Sequence, residues 1–430
     1  MKVLIIGGYG LIGAACLRAL RQAGFAVTGV GRDVDAARKV DPDGEWIIRD
    51  VTKLSVEDWQ RLTADKDVVI NASGALQDGA RDSLHAIHVT AVERLTEALA
   101  DTSTRLVHIS AVGASQTAKL DFFATKGQGE TIIRQSSADW VILRPALVIG
   151  QEAYGGTALL RAAAALPMLA PHFIPDVTVQ TVFLNDVAQA VVQAARGEIP
   201  HGTLADLTEP EGRSLSATIR TIRRWIGFAD PRATIPVPTV FMSILAKCAD
   251  ALGYLGWRSP LRSNALAALA DGIEGDPDAW LKAGGTPCRS LDETLSAMPA
   301  TVQERWFARL YLLFPLGVAL LSVFWILSGI IGVTEYDRAA AILTTRGMSG
   351  GLAPTAVFAG SIMDIALGLA ILWRPWVRAA SLGMVIVSLG YLVGGSMMTP
   401  DLWADPLGPF VKVLPSLGLA LFVAAIAKDR

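Results

Sequence analysis

Three glycines near the start of the chain have the spacing of a phosphate-binding turn. In KVLIIGGYGLIGAACLRAL (residues 2–20), an apolar run stops at Gly7, and Gly10 and Gly13 follow before an amphipathic run. We expect Gly7 to allow a sharp exit from a strand, Gly10 to let backbone amides approach a pyrophosphate, and Gly13 to let a helix pack closely. The helix N-terminus would offer unpaired N–H groups to phosphates. A glycine-rich turn without a ligand is the alternative. The predicted contacts are Gly7, Gly8, Tyr9, Gly10, Leu11, Ile12 and Gly13.

The next apolar run indicates which nucleotide would bind. AVTGVGR (Ala26–Arg32) is predicted to be the second strand, and Arg32 stands where a carboxylate would hold the ribose 2′-hydroxyl of NAD. The planar guanidinium of arginine suits a 2′-phosphate instead, and Arg38 follows a turn or so later. Asp33 and Asp35 lie close enough to weaken the inference, and an arginine that merely ends a strand is the alternative. We expect NADP(H) rather than NAD(H).

Alternating apolar and amphipathic runs would position these residues. Strands that alternate with helices predict the α/β fold class with a doubly wound parallel sheet, whose ligands bind at the carboxyl ends of the strands. The further predicted strands are Trp46–Arg49, Asp67–Asn71, Arg105–Ser110 and Trp140–Leu143, and the predicted helices include Ser83–Ala100 and Lys119–Gln135.

The motifs and their order resemble those of the extended and atypical short-chain dehydrogenase/reductases. They are GGYGLIG, Asp50-Val51, NASGA, HISAVGA, LRPALVIG and FLNDVA. The greatest similarity is to the atypical branch that includes the NADPH-binding accessory subunit of respiratory complex I; it covers roughly residues 1–300 and is specific in the first 190. The resemblance implies a Rossmann-like domain in which Asp50 and Val51 flank the adenine, Ala72, Ser73 and Gly74 line the pyrophosphate and nicotinamide ribose, and Arg144 and Pro145 lie near the nicotinamide.

The catalytic residues of that family are only partly present. The family uses a tyrosine four residues before a lysine on one helix, so that both project from one face. In DFFATKGQGE, Lys126 is present, but Phe122 stands at the tyrosine position and has no proton to exchange. Ser110 precedes the family's usual hydroxyl position, which falls on Ala111 or Val112. The usual tyrosine-dependent mechanism is therefore not expected.

Two interpretations of the missing tyrosine remain open. Either the domain binds NADP(H) as a structural or sensing ligand, or another group supplies the proton, with Lys126, Ser115 and His88 as the candidates. A lone helical histidine such as His88 is more often an ordinary packed or surface residue. Lys126 is the predicted catalytic residue, and Ser110, Lys126 and Pro145 complete the predicted cofactor contacts.

Composition limits the remaining possibilities. A chain of 430 residues suits two or three domains, and a formal net charge of −2 gives no indication of a nucleic-acid partner. Cys16, Cys248 and Cys288 lack metal-ligand spacing, so no metal site is expected and the thiols should be reduced. The chain starts with a strand rather than a signal peptide, so we expect the N-terminus in the cytoplasm.

Beyond residue 300 the sequence changes to long apolar runs. Each approaches or exceeds the roughly 20 residues needed to cross about 30 Å of hydrocarbon. Arginines in the second connection and aspartates in the third agree with the positive-inside rule if both termini are cytoplasmic. The predicted domains are residues 1–200, NAD(P)-binding; 201–300, a smaller substrate-facing lobe; and 301–430, four transmembrane helices. The predicted spans are Phe307–Val333, Leu352–Leu372, Val377–Met397 and Leu407–Ala427.

The apolar region resembles the DoxX-like family in its span layout and in the stretches GIIGV…EY and MDIALG, and some members of that family are linked to quinone-dependent redox chemistry at the bacterial membrane. Asp364 is unusual because a carboxylate within a span costs on the order of 3 kcal/mol. Ser361 could satisfy it structurally, or Asp364 could serve a proton relay or a quinone pocket.

These observations predict an NADP(H)-binding, short-chain dehydrogenase-like oxidoreductase anchored in the bacterial inner membrane. Its acceptor would be lipophilic, such as a quinone near Asp364, and a membrane-protein partner is compatible with the layout. The alternative is a catalytically silent NADPH-binding subunit that stabilises or regulates a membrane assembly.

Overall fold

The computed structural model describes residues 1–79, 83–257, 263–406 and 408–428. The chain forms two compact units. The α/β unit comprises Met1–Ala246 and Pro260–Arg305, and the helical unit comprises Lys247–Ser259 and Trp306–Arg430. The division of the first 300 residues at position 200 stays a prediction.

Thirteen strands are present in the described part of the α/β unit. In chain order they are β1 (Lys2–Ile6), β2 (Ala26–Gly31), β3 (Glu45–Ile48), β4 (Val68–Asn71), β5 (Arg105–Ile109), β6 (Asp139–Pro145), β7 (Leu147–Ile149), β8 (Leu169–Ile174), β9 (Thr178–Val179), β10 (Thr181–Phe183), β11 (Thr203–Leu207), β12 (Arg213–Ser214) and β13 (Ala233–Pro238).

Seven strands form one parallel sheet in the order β11-β6-β5-β4-β1-β2-β3. The order reverses between β1 and β4, and a crevice at the carboxyl ends of the strands is expected at such a reversal. The other strands pair as β7 with β10, β9 with β12 and β8 with β13. The predicted doubly wound parallel sheet is confirmed.

Among the described residues, twelve helices begin in this unit before residue 300. They are α1 (Leu11–Gln22), α2 (Val34–Val40), α3 (Val56–Thr63), α4 (Ala91–Leu99), α5 (Asp121–Gln135), α6 (Gly156–Ala164), α7 (Leu184–Ala195), α8 (Leu215–Ile226), α9 (Thr239–Tyr254), α10 (Ser263–Ala270), α11 (Asp278–Lys282) and α12 (Leu291–Ser296). The predicted helix Ser83–Ala100 is helical from residue 84 to residue 99, with a π-helical turn, Ala86–Thr90, directly before α4.

The central strand β1 is buried on both faces. Val3 and Ile5 belong to the core on one side of the sheet, and Leu4 and Ile6 to the core on the other. All four side chains are at most 1% exposed. Each contributes roughly 1.5–3 kcal/mol of burial. This continuous apolar run fixes the strand whose end carries the glycine turn.

The helical unit contains the long apolar helices. They are α13 (Val302–Thr334), which begins in the α/β unit, α14 (Tyr336–Thr345), α15 (Leu352–Ala370), α16 (Val377–Met398) and α17 (Val413–Ile426), with 3-10 turns at Arg374–Trp376 and Pro400–Trp403. Among the described residues, three helices are long and apolar enough to cross a membrane: α13, α15 and α16 with the turn that precedes it.

The fourth predicted span differs from the other three. Helix α17 has 14 residues, fewer than the roughly 20 of a straight crossing. The predicted start of that span, Leu407, lies outside the described residues. Four spans therefore stay a prediction.

Small residues bring α13 and α15 together. A Cβ at Gly329 would lie 2.5 Å from the carbonyl oxygen of Ser361, and a Cβ at Gly368 would lie 2.9 Å from the backbone nitrogen of Ile326. The Ser322 hydroxyl donates to the carbonyl oxygen of Gly368 at 2.7 Å. Close backbone approach and interhelical hydrogen bonds are typical of helix packing in lipid.

Replacing Gly329 with leucine should destabilise the helical unit, because the added side chain has no room between α13 and α15. Overpacking costs about 1–3 kcal/mol. Gly394→Leu is the matched control, since no heavy atom lies within 4 Å of a Cβ at Gly394. Thermal unfolding of the full chain in detergent should show a lower transition temperature for Gly329→Leu alone, and equal transitions for both variants would contradict this packing.

Candidate functional site

The glycine turn after β1 leaves no room for side chains at two of its three glycines. Gly7 has a φ of +74°, and a Cβ there would lie 2.8 Å from the carbonyl oxygen of Ala72. A Cβ at Gly13 would overlap the carbonyl oxygen of Gly7. Gly10, in contrast, is exposed, and a Cβ there would meet only the Gly7 carbonyl oxygen, at 3.3 Å. The site can therefore receive a ligand at Gly10.

The N-terminus of α1 faces this opening with uncapped amides. Gly10 is the N-cap residue and has no side chain to accept from them, and no acidic residue lies in the first turn. The first helical bond runs from the Ala14 N–H to the Gly10 carbonyl at 2.8 Å. The N–H groups of Leu11, Ile12 and Gly13 precede it, and they carry the positive end of the helix dipole toward an anion.

Tyr9 lies against the end of β2. Its hydroxyl accepts a hydrogen bond from the backbone N–H of Arg32 at 3.2 Å. A Cβ at Gly31 would overlap the Tyr9 ring, and a Cβ at Gly29 would overlap the Trp46 ring. Two glycines on one face of β2 thus make room for two aromatic rings. The sequence analysis missed this role, although glycines two residues apart in a strand signal such an approach.

The acidic residues near Arg32 are engaged in local capping. Asp33 is the N-cap of α2, and its Oδ1 accepts from the N–H groups of Asp35 and Ala36 at 2.9 and 3.0 Å. Asp50 Oδ1 likewise accepts from the backbone N–H and the hydroxyl of Thr52, at 3.1 and 2.8 Å. Arg32 itself is exposed at the end of β2.

Asn71 organises the loop after β4. Its Oδ1 accepts from the backbone N–H of Ser73 at 3.1 Å and from the Ser73 hydroxyl at 2.6 Å. Its Nδ2 donates to Nδ1 of His108 at 3.2 Å. Chiefly because of burial, the pKa of His108 lies well below its ordinary value, which leaves this nitrogen free to accept. Neither residue was among the predicted site residues, yet they fix the loop that contains Ala72, Ser73 and Gly74.

His88 holds the same loop from the other side. Its Nε2 accepts from the backbone N–H of Ala75 at 3.3 Å, and its Nδ1 lies 2.9 Å from the hydroxyl of Thr125. That hydroxyl donates to the carbonyl oxygen of Asp121 at 2.7 Å, so it accepts from Nδ1–H. Burial, with a smaller effect of Lys126, lowers the pKa of His88 to about 3. A neutral ring with both nitrogens engaged suits positioning better than proton donation.

Lys126 is buried at the carboxyl end of β5. Its Nζ donates to the carbonyl oxygen of Ile109 at 3.1 Å and lies 5.6 Å from the ring centroid of Phe122. Burial lowers the pKa of Lys126 to about 8, while Glu130 opposes the shift. The Nζ also lies 3.9 Å from where a Cβ on Gly74 would be. A titratable amine therefore lies beside the loop predicted to line the cofactor.

Ser110 completes this group. Its side chain is 5% exposed, and among the described residues its hydroxyl has no hydrogen-bond partner. A buried hydroxyl without a partner costs free energy unless a ligand satisfies it. Ser115, by contrast, is exposed and bonded to Thr117, with 3.0 Å between the hydroxyls. Ser110 is thus better suited than Ser115 to contact a buried ligand.

Arg144 is engaged within the domain. Its guanidinium forms a two-pronged ion pair with the buried carboxylate of Glu130 on α5, and it also donates to the carbonyl oxygen of Ala114 at 3.1 Å. Pro145 is buried, and its carbonyl accepts from the Val112 N–H at 3.1 Å. The ion pair between Arg144 and Glu130 joins α5 to the end of β6, where the resemblance to the family predicts the nicotinamide.

Two glycines inside α5 bring Lys126 into place. A Cβ at Gly127 would overlap the backbone of Ser115, and a Cβ at Gly129 would overlap the carbonyl oxygen of His88. Glycine weakens a helix interior by roughly 1 kcal/mol, so two of them in one helix signal close packing. This signal was present in the sequence and was not used.

Asp364 lies in the helical unit. It is buried, and its two oxygens accept from the Ser328 hydroxyl at 2.9 Å and the Tyr391 hydroxyl at 3.0 Å. Ser361, the predicted partner, donates instead to the carbonyl oxygen of Val357 at 2.8 Å. The carboxylate therefore joins α13, α15 and α16.

Comparison with known families agrees with the two parts of the chain. Residues 7–196 match the NAD(P)H-binding family, and residues 322–421 match the DoxX-like family. The chain therefore combines an NAD(P)H-binding domain with a Rossmann-like fold and a C-terminal DoxX-like domain, as the motifs predicted. The DoxX-like domain and the three long apolar helices indicate membrane association.

One curated relative is the mitochondrial NADH-ubiquinone oxidoreductase 40 kDa subunit of Neurospora crassa, with 28% identity over 152 residues. The match covers 34% of this chain and 40% of that subunit, so it spans less than half of the relative's length.

Solved structures share the fold at low identity. The enzyme WbmG of Bordetella bronchiseptica in complex with NAD has 16% identity and a TM-score of 0.53, over 71% of this chain and 93% of that chain. The UDP-glucose 4-epimerase of Thermotoga maritima with UDP-glucose has 16% identity and a TM-score of 0.51, over 71% and 98%. The terminal R domain of the myxalamid PKS-NRPS biosynthetic pathway has 19% identity and a TM-score of 0.52, over 71% of this chain and 89% of that chain.

Gly10→Val should abolish NADPH binding and leave the fold intact, because its side chain would fill the space in front of the α1 amides. Gly156→Val is the matched control, since a Cβ at Gly156 meets no heavy atom within 4 Å. Titration by quenching of tryptophan fluorescence measures binding, and circular dichroism checks folding. Normal NADPH affinity of a folded Gly10→Val protein would show that the ligand does not approach this turn.

Proposed function

From an NAD(P)-binding domain of the short-chain dehydrogenase type joined to a DoxX-like domain, we propose a membrane-anchored oxidoreductase that uses NADP(H) and passes reducing equivalents to a lipophilic acceptor, such as a quinone. The observation that carries the proposal is that a buried lysine and a buried hydroxyl both lie at the carboxyl end of β5: Lys126 donates to the Ile109 carbonyl oxygen, and the Ser110 hydroxyl has no hydrogen-bond partner among the described residues. Donation of a proton requires a titratable group at this position, and Lys126, whose pKa is lowered to about 8, provides one.

The residues of this site fit the cofactor. Uncapped amides face the opening at Gly10, and the Ser110 hydroxyl is available for a ligand. When bound, NADPH would supply a hydride, and reduction of a carbonyl or quinone also requires a proton. Lys126 supplies that proton in this proposal, because its ammonium form predominates below a pKa of about 8. His88 positions the loop at Ala75.

The preference for NADP(H) rests on the corner at the end of β2. Arg32 occupies this corner, and its backbone is held by the Tyr9 hydroxyl. Asp33 is used as the cap of α2, so its carboxylate is already hydrogen-bonded to the backbone. A guanidinium at this corner suits a 2′-phosphate better than a free 2′-hydroxyl.

The membrane location in this proposal is the bacterial inner membrane, with four spans and with both the N-terminal domain and the C-terminus in the cytoplasm. Arg374 and Arg378 mark the connection assigned to the cytoplasmic side, and Asp401 and Asp405 mark the opposite side. A quinone acceptor would be held within the bilayer near Asp364, where the Ser328 and Tyr391 hydroxyls that donate to the carboxylate can donate to a quinone oxygen instead. In this proposal the quinone takes up the hydride and the proton only at the NADPH site.

A second function is favoured by one residue. Phe122 occupies the tyrosine position beside Lys126 and packs edge-on against His88, with 5.8 Å between ring centroids. An apolar ring there excludes the family's proton donor. The alternative is a catalytically silent NADPH-binding subunit that stabilises or regulates a membrane assembly, with a membrane protein as its partner.

Arg32→Asp should weaken NADPH binding by about 10- to 100-fold, the cost of losing charge-assisted hydrogen bonds, and should shift preference toward NADH. Arg196→Asp, a charge reversal at an exposed arginine outside the predicted contacts, is the control. Both cofactors are titrated by fluorescence quenching. Unchanged NADPH affinity in Arg32→Asp would mean that this side chain does not contact the phosphate.

Single-turnover oxidation of bound NADPH by a short-chain quinone, with the full chain in liposomes, separates the two functions. For an enzyme, Lys126→Ala should lower the rate by about 10²- to 10⁴-fold at saturating cofactor, as expected for loss of a proton donor. The wild-type rate should fall as the pH rises through about 8, because the ammonium form is lost. Lys119→Ala, an exposed lysine before α5, should keep the wild-type rate.

A different result would identify the silent subunit. No oxidation above the protein-free background, with Lys126→Ala only weakening NADPH binding, would overturn the enzymatic proposal.

Asp364→Asn in the same assay tests the acceptor site: it should slow quinone reduction without changing NADPH affinity, and an unchanged rate would remove Asp364 from the acceptor pocket.

A further inference from the structure

Helix α9 exposes large apolar side chains and buries small ones. The exposed fractions are 55% for Phe241, 56% for Ile244 and 43% for Leu252, whereas Ala246 and Ala249 are 3% and 5% exposed. This distribution is the reverse of what a helix on the surface of a water-soluble protein shows, because such a helix turns its large apolar residues inward.

The exposed residues form one continuous stripe. Phe241, Ile244, Cys248 and Leu252 follow each other at intervals of three or four residues, so they share one face of the helix, and Leu255 continues the spacing just after its end. At about 25 cal/mol per Å² of apolar surface, contact of the stripe with water is costly. The stripe is therefore a surface that requires an apolar environment.

The chain just after α9 is bonded to the connection between two apolar helices. The carbonyl oxygen of Leu255 accepts from the Arg374 N–H at 2.9 Å, and the Trp257 indole N–H donates to the carbonyl oxygen of Leu372 at 2.7 Å. The Arg374 guanidinium lies over the Trp257 ring, 5.8 Å from its centroid. These contacts lie within the helical unit, at the point where α15 ends and α16 begins.

That connection has the composition of a membrane–water interface. Trp373 and Trp376 stack with 5.4 Å between their ring centroids and are 48% and 54% exposed. Exposed tryptophans and an arginine between two apolar helices are typical of the level of the lipid headgroups. The apolar stripe of α9 is thus followed directly in the chain by Leu255 and Trp257, which are bonded to this interface-like connection.

We propose that α9 is an interfacial helix whose apolar stripe lies in the headgroup and upper acyl region of the lipid bilayer. With 16 residues and with Lys247 and Asp250 within it, α9 is too short and too polar to cross. Lys247 is exposed beside the stripe, and Tyr254 is 92% exposed at its end, so the polar tips of both side chains can reach the headgroups. The proposal depends on membrane association of the helical unit and not on the chemistry at Lys126.

Cys248 provides a probe within the stripe. It is exposed, whereas Cys16 is buried and burial raises the pKa of Cys288 to about 12, so an environment-sensitive NBD maleimide reacts mainly at Cys248. The labelled full chain, in a Cys288→Ser background, is reconstituted in phosphatidylcholine–phosphatidylglycerol liposomes. The matched control carries Cys288→Ser, Cys248→Ser and Gln60→Cys, which moves the label to an exposed position on α3.

Lipids with a nitroxide near the headgroup should quench the label at Cys248 several-fold more strongly than the label at position 60, and aqueous iodide should show the opposite order. Equal iodide quenching at the two positions would overturn the proposal, since the stripe would then lie in water. Protection of Cys248 from both quenchers would also overturn it, because protein, including a second copy of the chain, would then cover the stripe. Unchanged melting temperatures of the labelled proteins verify folding.

Discussion

The nucleotide site depends on one steric constraint, the approach of three backbone segments around Gly7. Gly7 adopts a left-handed conformation that turns the chain out of β1. The loop after β4 passes within contact distance of the position that a Cβ on Gly7 would occupy. Helix α1 begins so close to Gly7 that Gly13 cannot carry a side chain. Because these approaches fix the turn rigidly, the amides of α1 converge on an opening without side-chain adjustment. Preorganised amides lose little freedom on binding an anion, which is why a turn made of glycines can be a specific site.

A second layer of hydrogen bonds keeps the loop after β4 in register with that turn. Asn71 holds Ser73 from within the loop, and His88 holds Ala75 from the π-helical turn before α4. Both histidines of the cluster are neutral because they are buried beside the cationic Lys126. The arrangement therefore has one amine that titrates near physiological pH, surrounded by groups that do not.

The sequence predicted the parts of this site that depend on local pattern. The glycine spacing, the apolar run of β1 and the alternation of strands and helices each follow from neighbouring residues, and the sheet and the nucleotide-binding domain agree with them. His108 lies 37 residues from its partner Asn71, and Thr125 lies 37 residues from its partner His88, so no local pattern specifies these two contacts. Asp364 illustrates the same limit, since its nearby candidate Ser361 bonds to its own helix while the actual partners come from α13 and α16.

The two neutral histidines link the stability of the fold to acidity. In the unfolded chain each imidazole takes up a proton below its ordinary pKa of about 6.5. In the folded state burial keeps both imidazoles neutral below that pH, and it lowers the pKa of His88 to about 3. Between these two values for His88 the unfolded state binds more protons, so this histidine lowers the free energy of unfolding by about 1.4 kcal/mol per pH unit as the medium becomes more acidic, and His108 acts in the same direction. On acidification this domain would therefore lose stability at a higher pH than a domain whose acid sensitivity comes from ionised carboxylates alone.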